Sequence, residues 1–247
     1  YAPEKDHVYL VGDFNNWVPT GAFHMNCSLD STRWWLVVNN LQPGQAYGYQ
    51  YFITNQGKYA DPLSTLVLDP NNDPFINANT FPNLPAYPTG LTTGFVSVFY
   101  TTPSTYTWQN TSFNRPAKKD LVIYELLVRD FVAARNYQTL IDTIAYLDRL
   151  GINAIELMPN FEFEGNESWG YNPSFHMALD KYYGTAQKFK EFVDTCHGRG
   201  IAVIIDMVLN HAFGQNPMVN MYWDAVNNRP AANNPWFNAV CPHPPNC

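Results

Sequence analysis

The sequence predicts a multidomain β plus α/β fold, in which a β-sandwich precedes an α/β domain. Short strand-like runs separated by turn residues fill residues 1–103, without a helical period. From residue 120 onward, apolar strand-like runs alternate with segments of helical spacing, as in parallel strands joined by crossover helices. The predicted organisation is therefore a sandwich at 1–103, a linker at 104–119 and an α/β domain at 120–247.

The composition restricts the possible partners. A net charge of −7 argues against nucleic acid, because phosphate binding needs a basic surface. The sequence contains no apolar run near the roughly 20 residues of a membrane span. No signal peptide is visible, and the chain opens at Tyr1 without an initiating Met, as a processed or cut chain would. We expect a secreted or periplasmic location in preference to a cytoplasmic one.

The four cysteines do not form a zinc pattern. They are Cys27, Cys196, Cys241 and Cys247, and they could pair in three ways. Cys196 falls on the apolar side of a predicted helix, so we expect a reduced core residue. Cys241 and Cys247 are close enough in sequence to bridge.

The first domain is predicted from four strand-like runs. These are His7–Gly12, Arg33–Val38, Gln45–Thr54 and the closing run Thr93–Tyr100. Gly, Pro, Asn and Asp punctuate them, and strands at this spacing indicate a small sandwich.

The second domain is predicted from three strands and two helices. The strands are Leu121–Phe131, Ile152–Pro159 and Ile201–His211, and the helices are Thr139–Leu150 and Gln187–Gly200. This order gives two right-handed βαβ units. Spacing alone leaves open whether they belong to a (β/α)8 barrel or to a doubly wound sheet.

The third of these strands carries the candidate site. Its apolar composition predicts burial on both faces, with Asp206 and Asn210 on one face and His211 at the end. A buried carboxylate needs a partner, so Asp206 is expected to have one. Polar residues at the carboxyl end of a parallel strand indicate an active site. The alternative is a structural Arg paired with Asp206.

Four motifs in this domain indicate a protein family. These motifs are Val122–Leu126, Ile155–Pro159, Trp169–Pro173 followed by Tyr182–Thr185, and Asp206–His211. The chain resembles the α-amylase superfamily, glycoside hydrolase family 13, because its motifs occur in the order found there. The resemblance implies the first three strands of a (β/α)8 TIM barrel, with 212–247 as an excursion after strand three.

The resemblance also assigns roles at the barrel mouth. Tyr171 would stack on a sugar in subsite −1, beside Trp169 of the same motif, because an aromatic face suits the C–H face of a pyranose. His211 would hydrogen-bond that sugar, and Asp206 would orient an Arg of the fourth strand. The alternatives are that Tyr171 packs and that His211 is structural.

A calcium ligand and an acidic loop complete the expectations for this domain. The resemblance makes Asn210 a Ca²⁺ ligand, although calcium needs six to eight oxygens and no other ligand is identifiable. The alternative is a strand-end cap without metal. Glu162, Glu164 and Glu167 precede Trp169 and are interpreted as a solvated acidic loop.

The first domain resembles carbohydrate-binding module family 48, an early-set sandwich. Gly12–Trp17 and Tyr59–Pro62 carry this resemblance. Trp17 matches the first glucan-binding Trp of that module, whereas Tyr59 replaces the second and Gln50 replaces its Lys. The alternative is that Trp17 and Tyr59 are packing residues of a docking domain.

Together the resemblances imply a retaining glycosidase acting on starch, glycogen or maltooligosaccharides, of amylase, pullulanase or cyclomaltodextrinase type. The catalytic carboxylates of the family are expected beyond Cys247, so residues 1–247 alone should hydrolyse no glucan. Two alternatives stay open. One is a branching enzyme or another transglycosylase, and the other is a non-catalytic glucan-binding protein with a degenerate barrel.

Overall fold

The structure, a computed structural model, describes residues 1–240, so the prediction for Cys241 and Cys247 lies outside the described residues. Within that range the strands are β1 (Val8–Gly12), β2 (Asn26–Cys27), β3 (Trp34–Trp35), β4 (Ala46–Ile53), β5 (Gly57–Tyr59), β6 (Val67–Leu68), β7 (Val96–Tyr100), β8 (Ile123–Leu126), β9 (Ala154–Leu157), β10 (Ala202–Ile205), β11 (Trp223–Asp224) and β12 (Arg229–Pro230). The α-helices are α1 (Val128–Phe131), α2 (Tyr137–Arg149), α3 (Ala186–Gly198) and α4 (Pro217–Asn220). None of the helices described has the length and apolar character of a membrane span.

The chain divides into two compact units. The first comprises Tyr1–Asp73, Pro85–Pro103 and the chain from His211 onward, and the second comprises Pro74–Leu84 and Ser104–Asn210. This division differs from the predicted domains in two places. The predicted linker at 104–119 belongs to the second unit. The segment after His211, predicted to belong with the α/β domain, instead packs with the N-terminal strands.

Hydrogen bonds and a shared core explain the second difference. The Lys5 ammonium donates to the Met221 carbonyl, and the Tyr222 hydroxyl donates to the Pro3 carbonyl. Met221 and Tyr222 also join a buried cluster with Val8. Apolar burial against the N-terminal strands therefore determines where this segment packs, and sequence order carried no sign of it.

The first unit is built on a five-stranded antiparallel sheet. One edge of β4 pairs with β1, from Val8↔Ile53 to Gly12↔Tyr49, and its other edge pairs with β7 and β5. Strand β6 extends the sheet beyond β7, whereas β2 and β3 form a separate two-stranded ribbon. The predicted strand at Arg33–Val38 is thus shortened to Trp34–Trp35, and Trp34 packs against the core that contains Val8.

The second unit has a parallel sheet of order β10-β9-β8, covered by α2 and α3. Both predicted helices are confirmed to within a few residues, and their caps explain where they begin. Asn136 accepts a hydrogen bond from the Thr139 amide, and Thr185 accepts one from the Lys188 amide. The core contains the apolar face of α2 together with Cys196 of α3, which is fully buried as predicted.

Two predicted strands are shorter in the structure. The run at 121–131 ends as a strand at Leu126, and one turn of helix follows. The run at 201–211 ends as a strand at Ile205, although the Asp206 amide still donates to the Leu157 carbonyl at 3.0 Å. Burial on both faces is wrong from Ile205 onward, because Ile205 is 38% exposed and Leu209 is 73% exposed. An apolar run indicates which residues avoid water, but not where the backbone leaves the sheet.

Asp194 of α3 fixes the segment that was predicted to be a linker. Its carboxylate accepts hydrogen bonds from the Tyr106 hydroxyl at 2.9 Å, the Gln109 amide at 2.7 Å and the Asn110 amide at 2.9 Å. Burial on its own would raise the pKa of Asp194, but these donors together lower it to about 2.

Asp194→Ala is expected to lower the free energy of unfolding by roughly 1–3 kcal/mol, because several donors lose their acceptor. The folded-state pKa is depressed, so this stabilisation is complete above the ordinary carboxyl pKa and is lost as the pH falls through about 2. Denaturant titrations at pH 7 and pH 3 measure it, with the exposed Asp142→Ala as control. A deficit that does not shrink on acidification would contradict this role for the carboxylate.

Candidate functional site

Two predicted site residues meet at the carboxyl end of the parallel sheet. Tyr171 lies in the loop after β9, and Asp206 directly follows β10. The Tyr171 hydroxyl donates to Asp206 Oδ2 at 2.7 Å. Tyr171 is 41% exposed and Asp206 is half-buried, so both remain open to a ligand. The predicted partner for Asp206 therefore exists, and in the structure it is a tyrosine.

The electrostatics of this pair involve two further carboxylates. The hydrogen bond to Asp206, then partial burial, then the negative charges of Asp206, Glu125 and Glu156 raise the pKa of Tyr171 to about 12. Its phenol is therefore protonated, and remains a donor, throughout the physiological pH range. Glu125 and Glu156 are register partners on β8 and β9. Neither was predicted as a site residue, although Glu125 lies in an Ile-Tyr-Glu-Leu motif and Glu156 in a similar Ile-Glu-Leu motif, and this repetition was the available signal.

A glycine determines the path of the loop that carries Tyr171. Gly170 has φ +88°, and a Cβ at this position would overlap the Pro159 carbonyl oxygen and lie 2.8 Å from the Pro159 carbonyl carbon. A side chain here would both strain the backbone and collide with the chain just after β9. Close backbone approach at Gly170 thus places Tyr171 next to the sheet.

A buried ion pair holds the same loop from inside. Glu162 and Lys181 form a salt bridge, with only 7% and 2% of their side chains exposed. Interpreting Glu162 as solvated was therefore wrong. Glu164 is exposed, and Glu167 pairs with Arg135 at the surface, so the solvated interpretation describes these two residues. A lysine 19 residues away could not be recognised as a partner from local pattern.

Asp180 extends this buried polar group. Burial first, and the negative charge of Glu162 second, raise the pKa of Asp180 well above its ordinary value, while Lys181 opposes the shift. The backbone amide of Tyr182 donates to Asp180 Oδ1 at 2.9 Å. The two ends of the loop are therefore connected by one buried polar group, which consists of Glu162, Asp180 and Lys181.

The other predicted site residues lie at the protein surface. Trp169 is 63% exposed, and Asn210 is exposed. His211 is exposed and begins the third segment of the first unit. No group of three or more His, Cys, Asp or Glu side chains suited to a metal occurs within residues 1–240. The assignment of Asn210 as a Ca²⁺ ligand therefore stays a prediction, because amide and backbone oxygens can also supply the six to eight ligands.

The two aromatic candidates in the first unit differ in burial, since Trp17 is buried and Tyr59 is partly exposed. Trp17 is 3% exposed, and its indole N–H donates to Asp13 Oδ1 at 3.2 Å. Tyr59 packs against the cluster that contains Met221 and Tyr222. Gln50, at the position of the module's Lys, is buried and bonded to backbone carbonyls. Burial of the Trp17 ring contradicts its prediction as a sugar contact and supports the packing alternative.

Comparison with known proteins identifies the family of the chain from residue 112 onward. The alpha amylase catalytic-domain family matches residues 112–247. The chain belongs to the alpha-amylase family. In sequence it is 29% identical to the malto-oligosyltrehalose trehalohydrolase of Arthrobacter ramosus, over 85% of this chain and 32% of that protein. It is 33% identical to the 1,4-alpha-glucan branching enzyme of Vibrio cholerae, over 85% of this chain and 27% of that protein.

Solved structures of other proteins share the fold of this chain. A candidate alpha amylase from Salmonella typhimurium superposes with a TM-score of 0.68 at 26% identity, covering 98% of this chain and 36% of that chain. The GBS pullulanase SAP in complex with maltotetraose superposes with a TM-score of 0.64 at 21% identity, covering 86% of this chain and 31% of that chain. The chain thus spans about a third or less of the length of the curated relatives given above.

Proposed function

We propose that this chain forms the sugar-binding part of an α-glucan-acting glycoside hydrolase that cleaves α-1,4 or α-1,6 glucosidic bonds with retention. The observation that carries the proposal is the Tyr171–Asp206 pair at the carboxyl end of a parallel sheet, in a chain of the alpha-amylase family. Three similar proteins support α-glucan as the substrate class. They are the malto-oligosyltrehalose trehalohydrolase, the 1,4-alpha-glucan branching enzyme and the pullulanase in complex with maltotetraose.

Each site residue has a distinct proposed role. The half-exposed ring of Tyr171 stacks on the apolar face of a glucose unit. Asp206 is a positioning residue, since it fixes the Tyr171 hydroxyl, and the family resemblance adds an arginine of the fourth strand as its second partner. His211 hydrogen-bonds the same sugar, and Trp169 flanks it.

The three parallel strands are proposed to be the first three of a (β/α)8 barrel. Parallel sheets are normally buried on both faces and flanked by other strands. Here both outer strands expose apolar side chains, with Ile123 of β8 at 46% and Ile205 of β10 at 38%. Further barrel strands would cover these edges. The antiparallel sheet of the first unit is proposed to be an early-set module like that of carbohydrate-binding module family 48.

The catalytic carboxylates are proposed to come from chain that follows Cys247. One would attack the anomeric carbon and the other would act first as acid and then as base, about 5–5.5 Å apart as retaining enzymes require. The described residues of this chain would then bind and orient the glucan. Transfer to a second glucan instead of water is the second candidate, favoured by the 33% identity to a branching enzyme. Product analysis on amylose separates the two, because hydrolysis creates new reducing ends whereas transfer conserves their number.

Tyr171→Ala in the full-length protein is expected to lower kcat/KM on maltoheptaose by roughly 30- to 1,000-fold, because a contact that tightens in the transition state is lost. His211→Ala should also lower kcat/KM. Tyr171→Phe keeps the ring but loses the hydrogen bond to Asp206, so about a tenfold loss is expected. The matched control is Tyr146→Phe, on the exposed side of α2. Wild-type turnover by both Tyr171→Ala and His211→Ala would contradict the assignment of this site.

A further inference from the structure

The chain that follows His211 forms a small closed structure within the first unit. We call residues 216–236 the return segment, which contains α4 and the β11–β12 hairpin. Near the end of this segment, the Asn234 side chain donates to the carbonyls of Met218 at 3.0 Å and Tyr222 at 3.3 Å. These bonds connect the end of the segment to its beginning, so we expect the segment to move as one body.

Residues 1–5, which we call the arm, hold the return segment by polar contacts. The Tyr222 hydroxyl donates to the Pro3 carbonyl. The Asn233 side chain donates to the Glu4 carboxylate at 2.6 Å. The arm therefore contacts the return segment both at α4's C-terminal side and beyond the hairpin.

The arm is itself fixed to the chain around β3. The Ala2 amide donates to the Thr32 carbonyl at 2.9 Å, and the Trp34 indole N–H donates to the Ala2 carbonyl at 2.9 Å. Because the arm is anchored in this way, its contacts restrain the return segment relative to the other strands of the first unit.

Lys5 is the buried centre of this contact. Its side chain donates to the Met221 carbonyl and to Gln56 Oε1, the latter at 2.9 Å, and Lys5 is only 8% exposed. The ammonium nitrogen also lies 3.6 Å from the centroid of the Tyr222 ring. Two oxygens and a ring face thus surround its three N–H donors. Lys5 thereby connects the return segment to the turn between β4 and β5.

The use of a lysine at this position has an energetic cost. Burial lowers the pKa of Lys5 to about 8, and the negative charge of Glu4 opposes this shift. An apolar side chain could occupy the same space without that cost, but it would leave the Met221 carbonyl without its donor. A charge retained in spite of this cost indicates that Lys5 fixes the position of Met221 and does more than fill the core.

We propose that Lys5 is a positioning residue for His211, which it holds through the return segment. His211 belongs to the first unit and lies a few residues before α4, so a displacement of the return segment would shift its side chain. The inference rests on the proposed function, in which His211 hydrogen-bonds the sugar. Lys5 itself does not touch the substrate.

Lys5→Met in the full-length protein tests this proposal, because it keeps the length of the side chain and removes the ammonium. We expect faster hydrogen–deuterium exchange of backbone amides at 216–236, and a kcat/KM on maltoheptaose that is about tenfold lower. The matched control is Tyr49→Phe, which removes a hydrogen bond to Asp61 elsewhere in the first unit. It should change neither the exchange at 216–236 nor kcat/KM.

A positioning role also makes the loss of activity depend on His211. Lys5→Met should therefore have little further effect on kcat/KM in a His211→Ala background. Equal fold-losses in the two backgrounds would overturn the positioning role and leave the sugar contact of His211 intact. Unchanged exchange at 216–236 would show that Lys5 does not hold the return segment. Wild-type turnover by His211→Ala would contradict the proposed role of His211 and this inference with it.

Tyr222→Phe keeps the test decisive if Lys5→Met does not fold. This substitution retains the ring beside Lys5 and removes only the hydrogen bond to the Pro3 carbonyl. It should change exchange at 216–236 and kcat/KM in the same directions, again with the loss of kcat/KM confined to the background that contains His211. A loss of the same size without His211 would overturn the proposal.

Discussion

Gly170→Ala is expected to destabilise the second unit by about 3–5 kcal/mol, the sum of a strained left-handed backbone and a collision with the preceding chain. The added Cβ would overlap the Pro159 carbonyl oxygen, and backbone atoms cannot yield as a flexible side chain can. The loop would have to move, and Tyr171 would move with it. We therefore expect kcat/KM to fall even at temperatures where the variant stays folded.

Gly165→Ala is the matched control for this substitution. Gly165 also has a positive φ, +73°, but nothing lies within 4 Å of the position that an added methyl group would take. It should cost only the backbone term, about 1–2 kcal/mol. Scanning calorimetry of the two variants measures the difference. Equal shifts in melting temperature would mean that the close approach of Gly170 to Pro159 contributes nothing.

Lys181→Met is expected to cost about 3–5 kcal/mol of unfolding free energy, since it leaves the buried Glu162 carboxylate without its cation. The control is Lys188→Met, which breaks the exposed pair with Glu191 and should cost at most about 1 kcal/mol. The double variant Glu162→Gln/Lys181→Met removes both charges and should recover part of the loss. Denaturant unfolding measures all three. Similar losses in Lys181→Met and Lys188→Met would show that burial of the first pair has no energetic consequence.

The elements that sequence predicted well are those fixed by local pattern. Helix α2 was predicted from the spacing of Leu140, Ile144 and Leu147, which all lie in the core, and the alternation at 45–54 predicted β4. The meeting of Tyr171 and Asp206 was not readable from spacing. The family resemblance predicted only that both residues belong to one site at the barrel mouth, where the carboxyl ends of parallel strands share one edge of the sheet, and the hydrogen bond between them was not predicted.

What sequence missed depends on contacts between distant residues. Glu162 looked like part of a solvated run, and its burial depends on Lys181 across the loop. For Trp17 the sequence left a sugar contact and a packing role open, and the structure shows that its ring fills the space left by Gly48, where a Cβ would lie 3.2 Å from the indole. In both cases a neighbour far along the chain determines exposure, and no local window contains that neighbour.

The central claim is that this chain belongs to a retaining enzyme acting on α-glucans. Proton NMR of the full-length protein with maltoheptaose tests it most directly, by following the anomeric signals of the newly formed reducing ends before mutarotation. We expect cleavage in which the α-anomer of the new reducing ends appears first, or, for transfer, a new α-glycosidic signal without new reducing ends, and a much slower change in either signal with Tyr171→Ala at the same concentration. Initial release of the β-anomer, or an unchanged spectrum with the wild-type protein, would contradict it.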